Sequence, residues 1–163
     1  MWAPGGMLLP FCQRCAGFYA GAAVALALHL GLRIRPTDRF LQVHGGFLLL
    51  MIPLGYHFVP QDALVRGVSG VLCGAGVISF LWLLPGPRIC VTAFMNQRRL
   101  IIYSAGLVVA LAVIPASGTW GDERAWYGLV GLATFGLAGL AILAAASVGL
   151  GLMSLGRAPG RAQ

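Results

Sequence analysis

Residues Leu9 to Gly21 read LPFCQRCAGFYAG, with Cys12 and Cys15 two residues apart and Arg14 between them. At the start of a helix such a pair has a chemical use. The partial positive charge of a helix N-terminus and a neighbouring arginine both stabilise a thiolate, which lowers the thiol pKa and raises reactivity at neutral pH. Cys12 and Cys15 would then cycle between dithiol and disulfide, with Arg14 holding the thiolate. The same spacing supplies half of a zinc site, which usually needs four ligands. No second Cys-x-x-Cys occurs, so His57 and Asp62 are the residues placed to complete a mixed site with Cys12 and Cys15. The third reading is packing alone, because free cysteine behaves as a small buried apolar residue. Cys73 and Cys90 are read that way.

The elements that position this motif are apolar. Hydrophobic residues make up 59% of the 163 residues and charged residues only 9%, where a soluble domain carries about 25% charged residues. So few charges cannot cover a water-facing surface. The fold class expected is an all-α integral membrane bundle of about five transmembrane helices, over residues 1–156, with 157–163 a disordered cytoplasmic tail. The apolar runs are Ala16 to Leu32, Phe40 to Val59, Ala63 to Leu84, Leu100 to Pro115 and Ala125 to Leu155. A spanning helix needs about 20 residues, so the fourth must extend back toward Gln97. Pro53 and Gly55 weaken the second, and the fifth is long enough to tilt. Backbone groups in lipid must be satisfied internally, and nothing alternates like barrel strands, so helices are favoured. Gly17-xxx-Gly21 and Gly70-xxx-Gly74 are small-xxx-small pairs that let helices approach closely.

All eleven basic residues are arginine, and the net charge is +7. In a soluble protein that excess would suggest nucleic acid. Here it lies in loops between apolar runs, so no nucleic-acid partner is expected; the bilayer is the primary partner, with other membrane proteins or a homo-oligomer besides. Arg33, Arg35 and Arg39 fall between spans one and two, Arg88, Arg98 and Arg99 between three and four, and Arg157 and Arg161 after span five. With five spans these regions share one side. The positive-inside rule makes that side cytoplasmic and puts the N-terminus outside. No cleavable signal peptide is expected. Trp120 and Trp126 flank the last outer loop, where amphipathic rings favour the interface.

Cys12 and Cys15 therefore belong at the outer end of span one, and Tyr19 continues their helix face. The outer compartment permits disulfides. Arg66 opens span three, with Ser69 at helical spacing and Asp62 four residues before it. An intramembrane charge normally faces the bundle, so Arg66 is expected to turn toward the cysteine pair. Tyr19, Arg66 and Ser69 form a candidate cofactor contact there, for an anion or a quinone oxygen. Zinc and quinone are the cofactors this chemistry would take. His29 and His44 are read as helix histidines bonded to carbonyls.

The stretch GGMLLPFCQRCAGFYAG resembles the signature of a bacterial and archaeal family of predicted membrane proteins, domain of unknown function 2085. The matching positions are Pro10, Cys12, Arg14, Cys15, Gly17, Tyr19 and Gly21. A second block of that family is similar to Arg66, Ser69, Gly70 and Gly74. Together the blocks cover roughly the first half of the chain. The family's usual upstream Cys-His pair would fall before residue 1 of this sequence, which is either truncated at its start or from a member without the pair, and the family's Asp-Gly of the second span is replaced by Leu54-Gly55. The resemblance implies a multi-span membrane protein and no particular activity.

Three functions fit: a membrane thiol protein with a redox or metal site at the outer face, a non-enzymatic membrane subunit or assembly partner, and a small transporter. A transporter would show internal repeats and broken helices; no repeat is present and Pro53 is the clear mid-span break. The charge pattern makes a direct prediction. Reporter fusions after Arg35, Glu123 and Arg161 should read inside, outside and inside; an outside signal at Arg35 would overturn the arrangement.

Overall fold

The computed structural model describes residues 3–56, 58, 60–89, 93–94, 96–119 and 122–155. His57, Cys90, Trp120, Arg157, Arg161 and the expected tail 157–163 lie outside the described residues. A 3-10 turn at Pro4–Gly6 precedes α1, Gln13–Leu32. Then follow β1 (Ile34–Arg35), α2 (Asp38–Gly55), α3 (Ala63–Leu81), the short α4 (Gly86–Ile89), β2 (Ala93–Phe94), α5 (Gln97–Ser117) and α6 (Glu123–Leu155). The all-α membrane bundle expected from the apolar runs is what forms.

Each long helix starts where a side chain can take the first orphan N–H groups. Thr37 caps α2 through Phe40 N–H, Asp62 caps α3 through Val65 N–H at 2.8 Å, and Asn96 caps α5 through Arg99 N–H at 2.9 Å. The Asn96 cap explains why the fourth span begins at Gln97 rather than Leu100. α1 ends where Arg33 turns into the left-handed region, at φ 50°. α3 stops at Leu81 rather than Leu84, just ahead of Pro85, which has no N–H to continue the ladder. α2 stops at Gly55 rather than Val59.

Four helices among the described residues are long and apolar enough to cross a membrane: α1, α3, α5 and most of α6. α2 is 18 residues long, with Asp38, Arg39, Gln42 and His44 in its first two turns. Its two ends nevertheless touch opposite faces of the bundle. Phe40 packs on His29 and Tyr103 at one face, and the Leu54 carbonyl meets Arg14 at the other. Five long helices therefore run between the faces, and the chain is a multi-pass membrane protein.

The loops are joined within each face. At the arginine-rich face β1 and β2 pair in parallel, Ile34 with Ala93 and Arg35 with Phe94. Trp82, fully buried, donates its indole N–H to the Ile34 carbonyl at 3.0 Å. At the N-terminal face Trp126 of α6 donates to the Leu8 carbonyl at 3.2 Å. The loops carrying Arg33, Arg35 and Arg88 thus share a face, as the arrangement of spans requires.

The centre of the bundle is the contact between α1 and α3. Lipid supplies little hydrophobic drive for helix association, so close van der Waals fit must supply it. A Cβ at Gly70 would land on the Arg14 carbonyl, and one at Gly74 on the Phe18 carbonyl; Gly17 meets the Gly67 carbonyl in the same way. Gly21 sits on the Val71 backbone, and Gly136 of α6 on the Tyr19 carbonyl. Ala16, Ala20, Ala22, Ala23 and Ala25 of α1 are buried between these neighbours. Both glycine pairs expected from the sequence lie in this one seam.

Gly74→Leu should destabilise the protein by about 3 kcal/mol or more, because backbone cannot retreat as a side chain can. Gly131→Ala, with nothing within 4 Å of the new Cβ, should stay within about 1 kcal/mol of wild type. Thermal unfolding of the two purified variants checks this, and equal melting would show that α1 and α3 can separate freely.

Candidate functional site

The cysteine motif sits where the chain enters α1. Cys12 is the N-cap, in extended conformation at φ −65° and ψ 157°, and its Sγ accepts the Cys15 N–H at 3.3 Å. Sulfur here takes the place usually held by a Ser or Asp oxygen. A thiolate would satisfy that N–H better than a thiol, so the cap itself favours ionisation. Cys12 and Cys15 are both exposed and both free.

Burial pushes the Cys12 thiol up, but only part of the side chain is covered. The Cys15 thiol, the Cys15 and Arg14 backbone N–H groups and the Arg14 charge together outweigh it and hold the Cys12 pKa below the ordinary thiol value. Cys73, by contrast, lies half-buried within α3.

Arg14 does more than supply charge. Its guanidinium donates to the Leu54 carbonyl at 3.0 Å and to Gln61 Oε1. The Gln61 amide donates in turn to the same Leu54 carbonyl at 2.5 Å. The end of α2, the loop before α3 and the first turn of α1 are thereby tied together beside the thiols. Arg14 Nε is buried without a hydrogen-bond partner among the described residues. Gln61 escaped the sequence reading because it lies 47 positions from Arg14, and its one signal was a polar residue just ahead of the Asp62 cap.

The other expected site residues are placed differently. Arg66 is exposed rather than turned into the bundle. On α3 the packed face runs through Gly67, Gly70, Val71 and Gly74, and Arg66 precedes it by about 100° of helical rotation. Asp62, four residues before Arg66 and weighed as a metal ligand, caps α3 by accepting the Val65 N–H. Ser69 is buried, and its hydroxyl donates to the Arg66 carbonyl at 3.1 Å. Tyr19 is half-buried and packs edge-on against Phe11 and Phe18. Among the described residues no three His, Cys, Asp or Glu side chains gather as metal ligands; His57 lies outside that set.

A second polar cluster forms at the arginine-rich face, where packing histidines were expected. His44 Nδ1–H donates to the Phe40 carbonyl at 2.8 Å, and His29 Nδ1–H to the Ala25 carbonyl at 2.8 Å. Both backbone contacts follow the expectation. The sequence reading missed Tyr103, whose hydroxyl lies 2.8 Å from His44 Nε2. His29 is fully buried, edge-on to Phe40, Trp82 and Tyr103, and its Nε2 has no partner among the described residues. A tyrosine six residues inside an apolar span was the available signal.

No protein-family model, curated protein or solved structure matches the chain, so the chemistry rests on the geometry of its own residues.

In reduced protein with Cys73 and Cys90 replaced by serine and both Cys12 and Cys15 retained, alkylation of Cys12 by iodoacetamide, read on its own peptide, should follow the thiolate fraction. The rate should rise with pH through a midpoint below the ordinary thiol value, since a lowered pKa populates thiolate at lower pH. Arg14→Gln removes the weakest of the stabilising contributions, so the midpoint should move up only slightly, because the site is largely solvent-screened. A midpoint at or above the ordinary value in both proteins would refute an activated Cys12.

Proposed function

We propose that this is a membrane dithiol protein that exchanges disulfides at its N-terminal face, with that face outside the cell and the arginine-rich face in the cytoplasm. The observation that carries the reading is the N-cap of α1: an exposed Cys12 sulfur receiving the Cys15 N–H beside the anchored guanidinium of Arg14. The resemblance to domain of unknown function 2085 rests on the same residues and is kept as part of the proposal.

In the exchange, the Cys12 thiolate attacks one sulfur of a partner disulfide. A mixed disulfide forms and the other partner sulfur leaves as thiolate. Cys15, deprotonated by solvent, attacks the Cys12 sulfur, and the second partner thiolate leaves. The partner gains two electrons and becomes a dithiol, while Cys12 and Cys15 become a disulfide. The reverse sequence oxidises a partner dithiol, and the relative reduction potentials set the direction. Arg14 favours the thiolate on Cys12 both as attacking and as leaving group. An exposed pair at a water-facing helix end suits a protein thiol partner, and the arginine bias of the loops supports an outer placement, in the compartment where disulfides persist.

Labelling of intact cells with a membrane-impermeant maleimide tests the reading. Wild-type Cys12 and Cys15 should label strongly only after mild reduction. Cys12→Ser should leave Cys15 labelled without reduction, its disulfide partner being gone. Labelling that rises with a chelator instead of a reductant would replace the redox reading by a zinc site. If neither treatment changes labelling and the double serine variant behaves as wild type, the pair is packing in a non-enzymatic subunit.

A further inference from the structure

α2 packs chiefly on α3, and α5 chiefly on α1 and α3, so α2 and α5 leave a groove between them. Its volume is about 570 Å³, within the roughly 300–1,000 Å³ usual for a ligand site. Val43 of α2 and Val108 of α5 line it and are 57% and 63% exposed. Both lie on the bundle surface, so the groove opens toward the acyl chains of the bilayer. His44 and Tyr103, joined at 2.8 Å, are 3% and 2% exposed. That pair closes the floor of the groove and ties α2 to α5, and it offers nothing to an occupant.

The polar and apolar parts of the lining are sorted by depth in the membrane. Thr37, Arg39, Asn96 and Gln97 lie at the arginine-rich end, and each can donate hydrogen bonds. The Arg39 guanidinium has no ion-pair or hydrogen-bond partner among the described residues. Asn96 spends its side-chain oxygen on the Arg99 N–H at 2.9 Å, which leaves its amide N–H groups available. Thr37 and Asn96 are also the N-caps of α2 and α5, so the positive ends of both helix dipoles add to the Arg39 charge. Asp38 is not part of the lining. Deeper in the groove the accessible lining is apolar except for Ser104. A helical serine can turn its hydroxyl back to the carbonyl four residues earlier, so Ser104 does not demand a polar occupant.

The depth of the apolar part selects the occupant. From Leu100 to Leu111 the lining follows α5 for about 16 Å, at 1.5 Å per residue. One leaflet is half of a hydrocarbon core of about 30 Å, or about 15 Å. The apolar run is therefore as deep as one leaflet, and the donors stand where the headgroups of that leaflet lie. A neutral ring compound would fill part of this depth and leave the cationic end unmatched. A phosphate with an acyl chain beneath it matches both, and basic pockets between transmembrane helices are suited to anionic headgroups.

We propose that the groove between α2 and α5 binds an anionic phospholipid from the leaflet at the arginine-rich face, with its phosphate on Arg39 and the Asn96 amide and one acyl chain along Phe47, Val108 and Leu111. The site is separate from the cysteine pair. It needs neither the dithiol reading nor the assignment of the arginine-rich face to the cytoplasm.

The test uses the full chain in a neutral detergent, titrated with dioleoylphosphatidylglycerol or dioleoylphosphatidylcholine and read by native mass spectrometry. Phosphatidylglycerol should bind saturably and about tenfold more tightly than phosphatidylcholine, the order expected of a charge-assisted contact at the membrane surface. Arg39→Gln should remove that preference and leave phosphatidylcholine binding unchanged. Val108→Trp and, from the opposite rim, Val43→Trp should each fill the groove and abolish saturable binding of both lipids while melting as wild type does. Excess inorganic phosphate should leave phosphatidylglycerol bound. Equal affinity of the two lipids in wild type would overturn the proposal, as would a preference that survives Arg39→Gln or undiminished binding to both rim variants. Displacement by inorganic phosphate would reduce the site to a phosphate contact without the chain, and would also overturn it.

Discussion

The seam between α1 and α3 is the constraint on which the remaining structure depends. Two backbones come into direct contact along Gly17, Gly21, Gly70 and Gly74. In lipid, apolar burial does not distinguish a helix neighbour from an acyl chain, so association must come from surfaces that fit more closely than lipid can. Glycine on both helices gives that fit, and alanines fill the flanks. Once α1 and α3 are fixed, the positions of their ends follow. The first turn of α1 is brought to the loop before α3, where Arg14 finds Gln61 and the Leu54 carbonyl. At the opposite end α1 delivers His29 to Trp82, which follows α3.

The polar groups at the two ends are handled differently. At the N-terminal face a charge is held by a carbonyl and an amide oxygen while the thiols remain exposed. At the arginine-rich face the polar atoms are enclosed by rings: His29 and His44 are buried among Phe40, Trp82 and Tyr103. Each histidine uses one nitrogen on the carbonyl four residues before it. That local bond fixes the tautomer, and the second nitrogen then depends on a distant residue. His44 obtains one in Tyr103; the Nε2 of His29 has none among the described residues. Two histidines with the same local chemistry therefore differ only in what tertiary packing brings to them.

This difference marks how far the sequence was legible. The helices, their caps and the glycine pairs are local patterns, and Asp62 and Asn96 stand where their helices begin. Membership of a helix did not reveal which side of it is covered. Arg66 was expected to face the bundle because charge in a membrane normally does, yet the glycines of α3 already occupy that face. The role of an intrabundle cation falls to Arg14, which local reading had assigned only to thiolate stabilisation. Arg14 with Gln61 and His44 with Tyr103 are pairs 47 and 59 positions apart. Neither is implied by composition, period or spacing.

The two candidate sites also differ in what they can do together. Cys12 caps the start of α1 and His29 lies 17 residues along it, which at 1.5 Å per residue is about 25 Å of helix. Thiol exchange needs sulfur in contact with sulfur, so no reaction passes directly from the cysteine pair to the histidine cluster. The seam between them is packed glycine, alanine and valine, with no described polar side chain bridging the two ends. Any coupling would have to be mechanical, through α1 itself. A rigid α1 locked by backbone contact at Gly70, Gly74 and Gly136 resists such movement, because a shift along the helix would drive carbonyls into neighbouring backbone. The fold thus keeps the cysteine pair and the histidine cluster apart at opposite faces, with no relay of described polar side chains between them.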